Sequence, residues 1–381
     1  MTDTQNVLRI LHLGDLHLDS AFLSLPFPRA EARRAEFREA LHRVADLVRE
    51  REVHIVLLSG DLFDEEAVSR ETVATLQEVF GKMAAADIFI APGNHDPYTP
   101  DSLYAANPFP KNVHVFHEEA LHKVASERYP VTVSGWAFTG KSLTVSPLSG
   151  YQADKDGRLQ LVCGHADLDV PLSPYGPVMT ADIRAFGADY TALSHRHNER
   201  ELVKAGKSLY GYSGFFIGRS FDETGTGGAH LLTATQDGAG WTVTAERLSF
   251  GERRYEKMTL NVTGAPDASA VLDAVREAYT AKGYGRDTVL RVILEGDLAP
   301  DFPMALVEGR LPELGRDLYG ISLLDRTSPT YDADILAADM SIRGEVYRSF
   351  LPKLTEGTPE ERREAALALK LALAALGNGS L

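Results

Sequence analysis

Side chains that can bind metal ions stand directly after five apolar segments that have the pattern of buried strands. In chain order they are Asp15, His17, Asp61, Asp64, Asn94, His95, His165, His195 and His197. Ligands of α/β sheets bind beyond the carboxyl ends of the strands, so residues at several such ends can converge on one site. A lone histidine is usually a structural residue, but a succession of strand ends with this composition predicts a functional centre.

The types of these side chains indicate the chemistry of the site. The set combines carboxylate, imidazole and amide oxygen and contains no thiolate, whereas a structural zinc site usually contains cysteine. Mixed oxygen and nitrogen ligands favour Mn²⁺ or Fe²⁺ over Mg²⁺ and Zn²⁺. A carboxylate shared by two ions would hold them about 3.5–4 Å apart, which suits the attacking and leaving oxygens of phosphoryl transfer. The pattern therefore predicts a two-metal phosphoesterase.

The elements that must position these residues alternate between strand-like and helix-like segments. Residues 7–13, 53–59 and 87–91 predict buried strands, and residues 35–50 and 69–85 predict amphipathic helices between them. This alternation is typical of a largely parallel sheet built from strand–helix–strand units. Further predicted strands imply a second sheet packed on the first. They cover residues 131–138, 158–163, 189–194, 229–235 and 241–248.

The pattern changes near residue 254, where a smaller α+β domain is predicted to begin. Its predicted elements are a strand at 255–262, a helix at 267–281, a strand at 288–295, a helix at 301–313 and a strand at 318–324. The tail after it has a helix start signal, because Thr358, Pro359 and Glu361 match an N-cap, a first-turn proline and a capping box. The predicted parts are residues 1–253, a capping domain at 254–330 and a helical region at 331–381.

Composition limits the class of protein. The chain has 381 residues, 44% of them hydrophobic, and a net charge of −15, which indicates a globular protein of about two domains with an appendage. The spread of acidic residues argues against a protein that coats nucleic acid through bulk positive charge. The single cysteine, Cys163, excludes an intramolecular disulfide and fits a reducing compartment. With no signal-peptide pattern and no long apolar run, we expect a cytoplasmic location and no membrane contact.

The order of the motifs resembles that of the calcineurin-like metallophosphoesterases. The motifs are Asp-x-His, Gly-Asp-x-x-Asp, Gly-Asn-His-Asp, Gly-His and His-x-His. Within this family the chain is similar to the bacterial DNA repair exonuclease branch, the SbcD- and YhaO-like proteins, through LHLGDLHLDSAF, GDLFD, TALSHRH and residues 218–225. The expected fold is α/β, a two-sheet α/β/β/α metallophosphoesterase sandwich with a small α+β capping domain and a C-terminal helical appendage.

The resemblance also implies a role for each residue of the site. One metal ion would be held by Asp15, His17, Asp61 and His197. The second would be held by Asp61, Asn94, His165 and His195, with Asp61 bridging the two ions. His95 matches the family's catalytic histidine, and Asp64 matches the acid that orients it.

Two positions depart from the family pattern. Ser194 stands where relatives usually have glycine, and residues 226–228 read Thr-Gly-Gly where relatives often have Glu-Lys-Gly. The missing lysine argues against tight binding of DNA by this subunit alone. Arg196 and Arg219 are candidate contacts to a phosphate backbone, and surface salt bridges with nearby acidic residues are the alternative.

The expected reaction is hydrolysis of a phosphodiester, in which the ions activate water and stabilise the developing charge. By resemblance, the substrate is DNA, and the chain is an exonuclease or end-processing nuclease that acts in DNA repair with an SbcC-like coiled-coil ATPase. Two alternatives stay open: a phosphatase or small-molecule phosphodiesterase with the same metals, and a subunit that mainly binds DNA and the ATPase. Homodimer formation is open as well. The apolar tail helix either covers its own domain or docks a partner.

Overall fold

The computed structural model describes seven stretches of the chain. They are residues 7–22, 27–64, 68–106, 108–238, 240–299, 302–330 and 333–377. The chain divides into two compact units, Met1–Arg254 and Tyr255–Leu381. The second unit includes both the predicted capping segment and the predicted C-terminal helical region, and the finer division at residue 330 stays a prediction.

Strands and helices alternate along the first unit, as the periodicity predicts. Its elements are β1 (Val7–Leu13), α1 (Phe27–Glu50), β2 (Ile55–Leu58), α2 (Arg70–Lys82), β3 (Asp87–Ile90), α3 (Leu103–Ala106), β4 (Val113–Val115), β5 (His122–Ala125), β6 (Val131–Gly135), β7 (Leu159–His165), β8 (Asp167–Leu168), β9 (Pro177–Val178), α4 (Thr180–Phe186), β10 (Tyr190–Ser194), β11 (Leu202–Ala205), β12 (Ser208–Tyr212), β13 (Ala229–Asp237) and β14 (Gly240–Leu248).

The strands of this unit form two large sheets. Among the described residues the first sheet has the order β14-β13-β1-β2-β3-β4, and the second has the order β11-β12-β10-β7-β6-β5. β1, β2 and β3 run parallel with pairs such as Leu13 with Leu58 and Leu58 with Ile90. β7 and β10 are also parallel, and their register pairs His165 with Ser194. The carboxyl ends that carry the candidate ligands are therefore neighbours within each sheet.

Apolar residues on both faces of the first sheet explain why its strands read as continuous hydrophobic runs. On β1, Leu8 and Ile10 pack in a core with residues of the second sheet. Leu11 and Leu13 face the other way and pack with the buried sides of α1 and α2. The outer face of the second sheet is covered by α4. The layers are helix, sheet, sheet and helix, so the predicted two-sheet sandwich is confirmed.

Helix α1 begins at Phe27, well before the predicted start at residue 35. Its first turns bury Ala30 and Arg33. The sequence pattern missed these turns because Arg33, a charged residue, interrupts the apolar period that marks the rest of the helix. Arg33 is buried because it donates a hydrogen bond of 2.7 Å to the backbone carbonyl oxygen of Gly218.

The second unit has a small sheet covered by helices. Its elements are β15 (Arg254–Asn261), α5 (Ala268–Ala281), β16 (Thr288–Leu298), α6 (Met304–Leu314), β17 (Gly320–Pro329), α7 (Ala333–Ala338), α8 (Ile342–Glu356) and α9 (Pro359–Gly377). The strand order is β15-β16-β17, and the core lies between this sheet and the helices α5 and α6. These bounds match the α+β pattern predicted after residue 254.

Helix α9 begins where the capping signal predicts. The backbone N–H of Thr358 donates to Glu361 Oε2 at 2.8 Å, and the backbone N–H of Glu361 donates to Thr358 Oγ1 at 3.3 Å. This reciprocal pair is the predicted capping box. Within the described ranges, none of the helices is long and apolar enough to cross a membrane.

Candidate metal centre

The ligand-bearing loops leave the carboxyl ends of neighbouring parallel strands in both sheets. Several of the predicted ligands have the left-handed backbone that side chains rarely adopt. They are Asp15 (φ 48°), His17 (φ 47°), Asp61 (φ 51°) and His195 (φ 124°). Such strain costs on the order of 1–3 kcal/mol for each residue and clusters at functional sites. The backbone is therefore held in an unfavourable conformation where these side chains meet.

Two histidines point ring nitrogens at each other near the centre of these loops. The Nε2 atoms of His17 and His197 are 3.2 Å apart. The other nitrogen of each ring faces a carboxylate: His17 Nδ1 is 2.9 Å from Asp64 Oδ1, and His197 Nδ1 is 2.8 Å from Glu223 Oε1. When each Nδ1–H donates to its carboxylate, both Nε2 lone pairs face the same point. A cation at that point would relieve their repulsion, and this carboxylate–histidine pairing is typical of metal ligands.

Asp61 lies between two groups of histidines. Its Oδ2 atom is 3.7 Å from His17 Nε2 and 3.5 Å from His165 Nε2. Its Oδ1 atom accepts a hydrogen bond of 3.0 Å from the backbone N–H of His95. Gly93 leaves room for this carboxylate, since a Cβ atom at that residue would be 2.2 Å from Asp61 Oδ1. The central position is the one expected of a ligand shared by two ions.

The remaining predicted ligands gather around His165. Its Nε2 atom is 2.9 Å from Asn94 Oδ1 and 3.2 Å from His195 Nδ1. The backbone N–H of His195 lies 3.2 Å from each carboxylate oxygen of Asp15 and donates to them. Asp15 Oδ1 is in turn 3.9 Å from His197 Nε2. These contacts bring all the predicted metal ligands into one continuous cluster.

The donor atoms of this cluster fit divalent ions. One ligand atom each from Asp15, His17, Asp61 and His197 lies within 4.8 Å of the others. Ligand atoms of a transition-metal ion are about 2.0–2.2 Å from it, so those on opposite sides are roughly 4.2 Å apart. Small shifts of side chains would complete this set. The contacts of Asp61, Asn94, His165 and His195 make them the candidate set for a second ion.

Burial controls the protonation of these groups. Burial lowers the pKa of His165 to about 3, against the attraction of Asp61, and it also lowers the pKa of His195. Burial alone would raise the pKa of Asp61, but His165 and other histidines outweigh it and hold this pKa below its usual value. Burial raises the pKa of Asp15 to about 7, and a bound cation would favour the ionised form of this carboxylate. Near neutral pH, His165 and His195 are neutral and Asp61 is ionised, which are the states that bind metal.

The Asp64 carboxylate contacts His17 more closely than it contacts His95. Besides His17, it accepts from Ser20 Oγ at 3.0 Å and from Arg219 Nη1 at 3.1 Å. His95 Nδ1 is 3.6 Å from this carboxylate and 3.3 Å from the backbone carbonyl oxygen of Asp64. The ring of His95 is 45% exposed and its centroid is 4.8 Å from that of His17, at the open side of the cluster. The main chain of Asp64 therefore meets His95, and the catalytic roles of both residues stay predictions.

Glu223 is a residue of the site that the sequence did not single out. It is 3% exposed. Besides its contact with the His197 ring, it accepts hydrogen bonds from Arg219 Nη2 at 2.6 Å and from the backbone N–H of Arg219 at 2.8 Å. Arg219 thus joins Glu223 to Asp64, the carboxylates behind the two facing histidines. These bonds use the N–H donors of Arg219, and its contact with a phosphate group stays a prediction. The available signal was the family-like stretch 218–225, which includes Glu223.

Arg196 also donates its hydrogen bonds to groups of the protein. Its Nε atom donates to Asp167 Oδ1 at 2.7 Å, its Nη1 atom donates to Glu199 Oε1 at 3.0 Å, and its Nη2 atom donates to the carbonyl oxygen of Leu168 at 2.8 Å. This is the salt-bridge alternative that the sequence left open. Contact of Arg196 with substrate stays a prediction.

Asp96 ties together two loops that carry metal ligands. Its carboxylate accepts from the backbone N–H groups of Leu62 at 2.7 Å, Phe63 at 3.1 Å and Gly93 at 2.8 Å, and from the hydroxyl of Tyr104 at 2.6 Å. The first two groups follow β2 and the third follows β3. Asp96 therefore fixes the loop that bears Asp61 against the loop that bears Asn94.

The family match covers the region that contains the metal cluster. Residues 8–199 match the calcineurin-like phosphoesterase family. The chain belongs to this family. The calcineurin-like phosphoesterase region includes every predicted metal ligand as well as His95 and Asp64, whereas Arg219 and Glu223 lie beyond it.

This calcineurin-like phosphoesterase is similar to proteins of Bacillus subtilis strain 168. It is 28% identical over 324 residues to the uncharacterized metallophosphoesterase YhaO, across 80% of this chain and 76% of YhaO. It is 22% identical over 267 residues to SbcD, a subunit of the nuclease SbcCD, across 57% of this chain and 64% of SbcD. The resemblance to the SbcD- and YhaO-like branch is confirmed, and the likeness to SbcD is the weaker of the two.

Solved structures that match part of this chain include a dimetal phosphatase from Danio rerio. It is 11% identical with a TM-score of 0.38, and the match covers 64% of this chain and 99% of that chain. The protein TT1561 of Thermus thermophilus is 14% identical with a TM-score of 0.38, at the same coverage of 64% and 99%. Family membership and the cluster of donors together support metal-dependent hydrolysis of phosphoesters at a dinuclear site.

Proposed function

We propose that this protein is a two-metal phosphodiesterase that processes DNA ends as an exonuclease or end-processing nuclease. The observation that carries the proposal is the pair His17 and His197, each backed by a carboxylate, whose Nε2 atoms face each other at 3.2 Å. Two bound ions, which we propose to be Mn²⁺, would activate water and stabilise charge on the phosphate. His95, at the open side of the cluster, would give a proton to the leaving oxygen.

The choice of DNA as substrate is supported by the similarity to a subunit named as part of a nuclease. A second candidate is a small-molecule phosphodiesterase or phosphatase with the same ions. The observation that favours it is the state of Arg196 and Arg219, which are held by acidic side chains in a protein of net charge −15. Recognition of a DNA backbone usually depends on free basic groups. The two candidates differ in substrate and share the hydrolytic centre.

Hydrolysis assays on two substrates test the proposal. The purified protein with Mn²⁺ should release p-nitrophenolate from bis-p-nitrophenyl phosphate and nucleotides from end-labelled DNA. Ca²⁺ should support far less activity, because it prefers cages of oxygen ligands. Asp61→Asn should lose both activities, and Asp46→Asn, at an exposed carboxylate on α1, is the matched control.

The outcomes of these assays separate the candidates. Hydrolysis of the small diester with DNA left intact, also when a coiled-coil ATPase of the SbcC type is present, would favour the second candidate. The absence of turnover on every phosphoester with Mn²⁺, Fe²⁺, Mg²⁺ or Zn²⁺ would overturn the proposed function. Asp61→Asn with wild-type activity would overturn the shared-ligand assignment.

The proposed partner is a coiled-coil ATPase of the SbcC type, and α9 is the proposed contact. One face of α9 covers its own unit, because Leu369 and Leu373 are buried against α7 and α8. The other face presents Leu367 and Leu371, which are 61% and 65% exposed. Residues four apart are neighbours on a helix surface, so these two leucines form one apolar strip. A coiled coil can bury such a strip.

Replacement of both leucines of this strip by charged residues tests the proposed contact with the ATPase. The double variant Leu367→Glu, Leu371→Glu should lose co-purification with the co-expressed ATPase and keep hydrolysis of bis-p-nitrophenyl phosphate. Val203→Glu, at a residue that is 51% exposed in the first unit, is the control for an added charge. Retention of the ATPase by the double variant would exclude this surface.

A further inference from the structure

Two arginines of the first unit each have a buried N–H donor without an acceptor among the described residues. The Nε atom of Arg200 and the Nη2 atom of Arg247 are inaccessible to solvent and make no hydrogen bond to this part of the chain. Arg200 lies in the loop after the predicted ligand His197, and Arg247 lies on β14 of the first sheet. A buried donor that stays unbonded destabilises the folded state, and more so when it belongs to a charged group.

Both arginines contact the segment that follows β12. Arg247 Nη1 donates a hydrogen bond to the carbonyl oxygen of Ser213. The Cζ atom of Arg200 is 4.5 Å from the centroid of the Phe215 ring, and its Cγ atom is 2.7 Å from the position that a Cβ atom would take at Gly214. Burial, together with the charge of Arg200, lowers the pKa of Arg247 to about 10. The two cations are therefore close enough to repel each other.

The other partners of this pair are main-chain carbonyl groups. Arg200 Nη1 donates to the carbonyl oxygen of Thr226 at 2.7 Å, and its Nη2 donates to that of Thr224 at 3.0 Å. The neighbouring carboxylate of Glu223 is bonded to other side chains. Within the described ranges, neither Arg200 nor Arg247 forms a salt bridge. Two positive charges thus lie together in a partly buried place without a negative partner, which is an unfavourable arrangement.

We propose that a chloride ion binds between Arg200 Nε and Arg247 Nη2. An anion in this place would accept from both donors and offset the repulsion between the two guanidinium groups. Chloride is a single atom, so two enclosed donors can bind it. A phosphate or sulfate ion would bury several oxygens that need further donors.

The ion would stabilise the groups that support the metal cluster. Arg200 is three residues after His197, and its bonds to the carbonyl groups of Thr224 and Thr226 fix the loop that contains Glu223. Glu223 in turn accepts from the His197 ring. The bound ion would join this loop to β14, and without it the two arginines would repel each other there. Chloride would thus be a structural anion of the folded protein.

Unfolding of the metal-loaded protein by urea tests the site. Sodium chloride replaces sodium gluconate, the salt of a bulky organic anion, at constant ionic strength. At about ten times its Kd, chloride should raise the equilibrium constant for folding roughly tenfold, since it binds the folded state alone. The stability of Arg200→Met and of Arg247→Met should not depend on chloride. Arg49→Met, at an arginine whose side chain is 61% exposed, is the control and should keep the wild-type response.

Crystals grown with sodium bromide would show the ion directly. Bromide replaces chloride at halide sites and scatters X-rays anomalously. A peak in contact with Arg200 Nε and Arg247 Nη2 is expected in crystals of the wild type, and its loss is expected in crystals of Arg247→Met. The wild-type crystals decide the proposal even where a variant does not fold.

Four results would overturn the chloride site. The first is electron density without an anomalous signal at this place, since the donors would then bind water. The second is the tetrahedral density of a phosphate or sulfate ion. The third is a bromide peak in a protein whose stability does not respond to chloride, which would be an adventitious ion only. The fourth is a wild-type response to chloride in both Arg200→Met and Arg247→Met, which would place the effect elsewhere in the protein.

Discussion

The hydroxyl oxygen of Ser194 lies 1.6 Å from the position that a Cβ atom would take at Gly14. The same hydroxyl is hydrogen-bonded to Ser59 Oγ and lies 3.1 Å from Ser213 Oγ. Ser59 follows β2 of the first sheet and Ser194 ends β10 of the second. Ser194 therefore joins the two sheets next to the metal cluster, and only glycine at residue 14 leaves it room.

The substitution Gly14→Ala should destabilise the protein because its methyl group would overlap Ser194. Overpacking of a closed interior costs about 1–3 kcal/mol, and the displaced strand ends should also weaken metal binding. Ser194→Gly removes the overlapping atoms, so the double variant should recover a large part of the loss. Urea unfolding and metal titration of both single variants and the double variant measure this coupling. Additive effects of the two substitutions would contradict it.

Loss of the charge at Glu223 should weaken binding of metal by His197. In Glu223→Gln the side-chain carbonyl can still accept from the His197 ring, but the neutral amide no longer makes the imidazole more basic. Substitution of a group that supports a metal ligand typically costs 10- to 100-fold in affinity, and a loss of about that size is expected here. Competition of the protein with a chelator measures it. Glu199→Gln, at a carboxylate that pairs with Arg196, is the control, and equal affinities in both variants would exclude the support role.

The positions of the candidate ligands could be predicted because residue type and strand order are local properties of the sequence. Asp15, Asp61 and His165 each follow or end an apolar run, and parallel neighbours bring such ends together. Glu223 could not be placed in this way. It lies in a loop between β12 and β13, and its approach to His197 depends on the path of that loop. Sequence spacing contains no information about that path.

The partners of charged side chains were harder to predict than the ligands. Asp64 was expected to orient His95, but its carboxylate has His17 as a closer neighbour, at 2.9 Å instead of 3.6 Å. Arg196 and Arg219 were candidate contacts to a phosphate backbone, with salt bridges as the alternative, and both make salt bridges with acidic side chains. Differences of about an ångström in the distances between charged groups decide which of them form pairs. Such differences arise from packing and are not encoded in the spacing of motifs.

Removal of the His95 side chain should lower the rate and leave the metal content unchanged. General acid catalysis contributes roughly 100- to 10,000-fold, so His95→Ala should lose about that much in kcat on bis-p-nitrophenyl phosphate. The backbone N–H that donates to Asp61 is retained in this variant, so the shared ligand stays in position. Metal analysis beside steady-state kinetics checks both expectations. A variant with one ion fewer for each chain would make His95 a ligand.

Two buried histidines should make the protein sensitive to acid. His12 and His230 are paired in the register of β1 and β13, with ring centroids 6.0 Å apart. Burial, together with the charge of Arg247, lowers the pKa of His230 to about 4, and burial and His230 lower the pKa of His12 well below its usual value. An unfolded histidine titrates near pH 6.5. Between about pH 6.5 and pH 4 the folded state binds fewer protons than the unfolded state, so stability falls as the pH is lowered through this window.

In the variant His230→Gln, the stability of the folded state should fall less steeply as the pH is lowered. The amide of glutamine can still donate to the carbonyl oxygen of Tyr212, which now accepts from His230 Nε2 at 3.2 Å, but it does not titrate. Each pH unit between two pKa values is worth about 1.4 kcal/mol, so the stability curves of the wild type and the variant should separate by on the order of 2–3 kcal/mol near pH 4. Burial raises the pKa of Asp96 to about 7, and its protonation acts with the opposite sign in both proteins. The diagnostic quantity is therefore the difference between their urea unfolding free energies at each pH. His117→Gln, at a half-exposed side chain, is the control, and parallel curves for the wild type and His230→Gln would show that His230 does not contribute to the acid sensitivity.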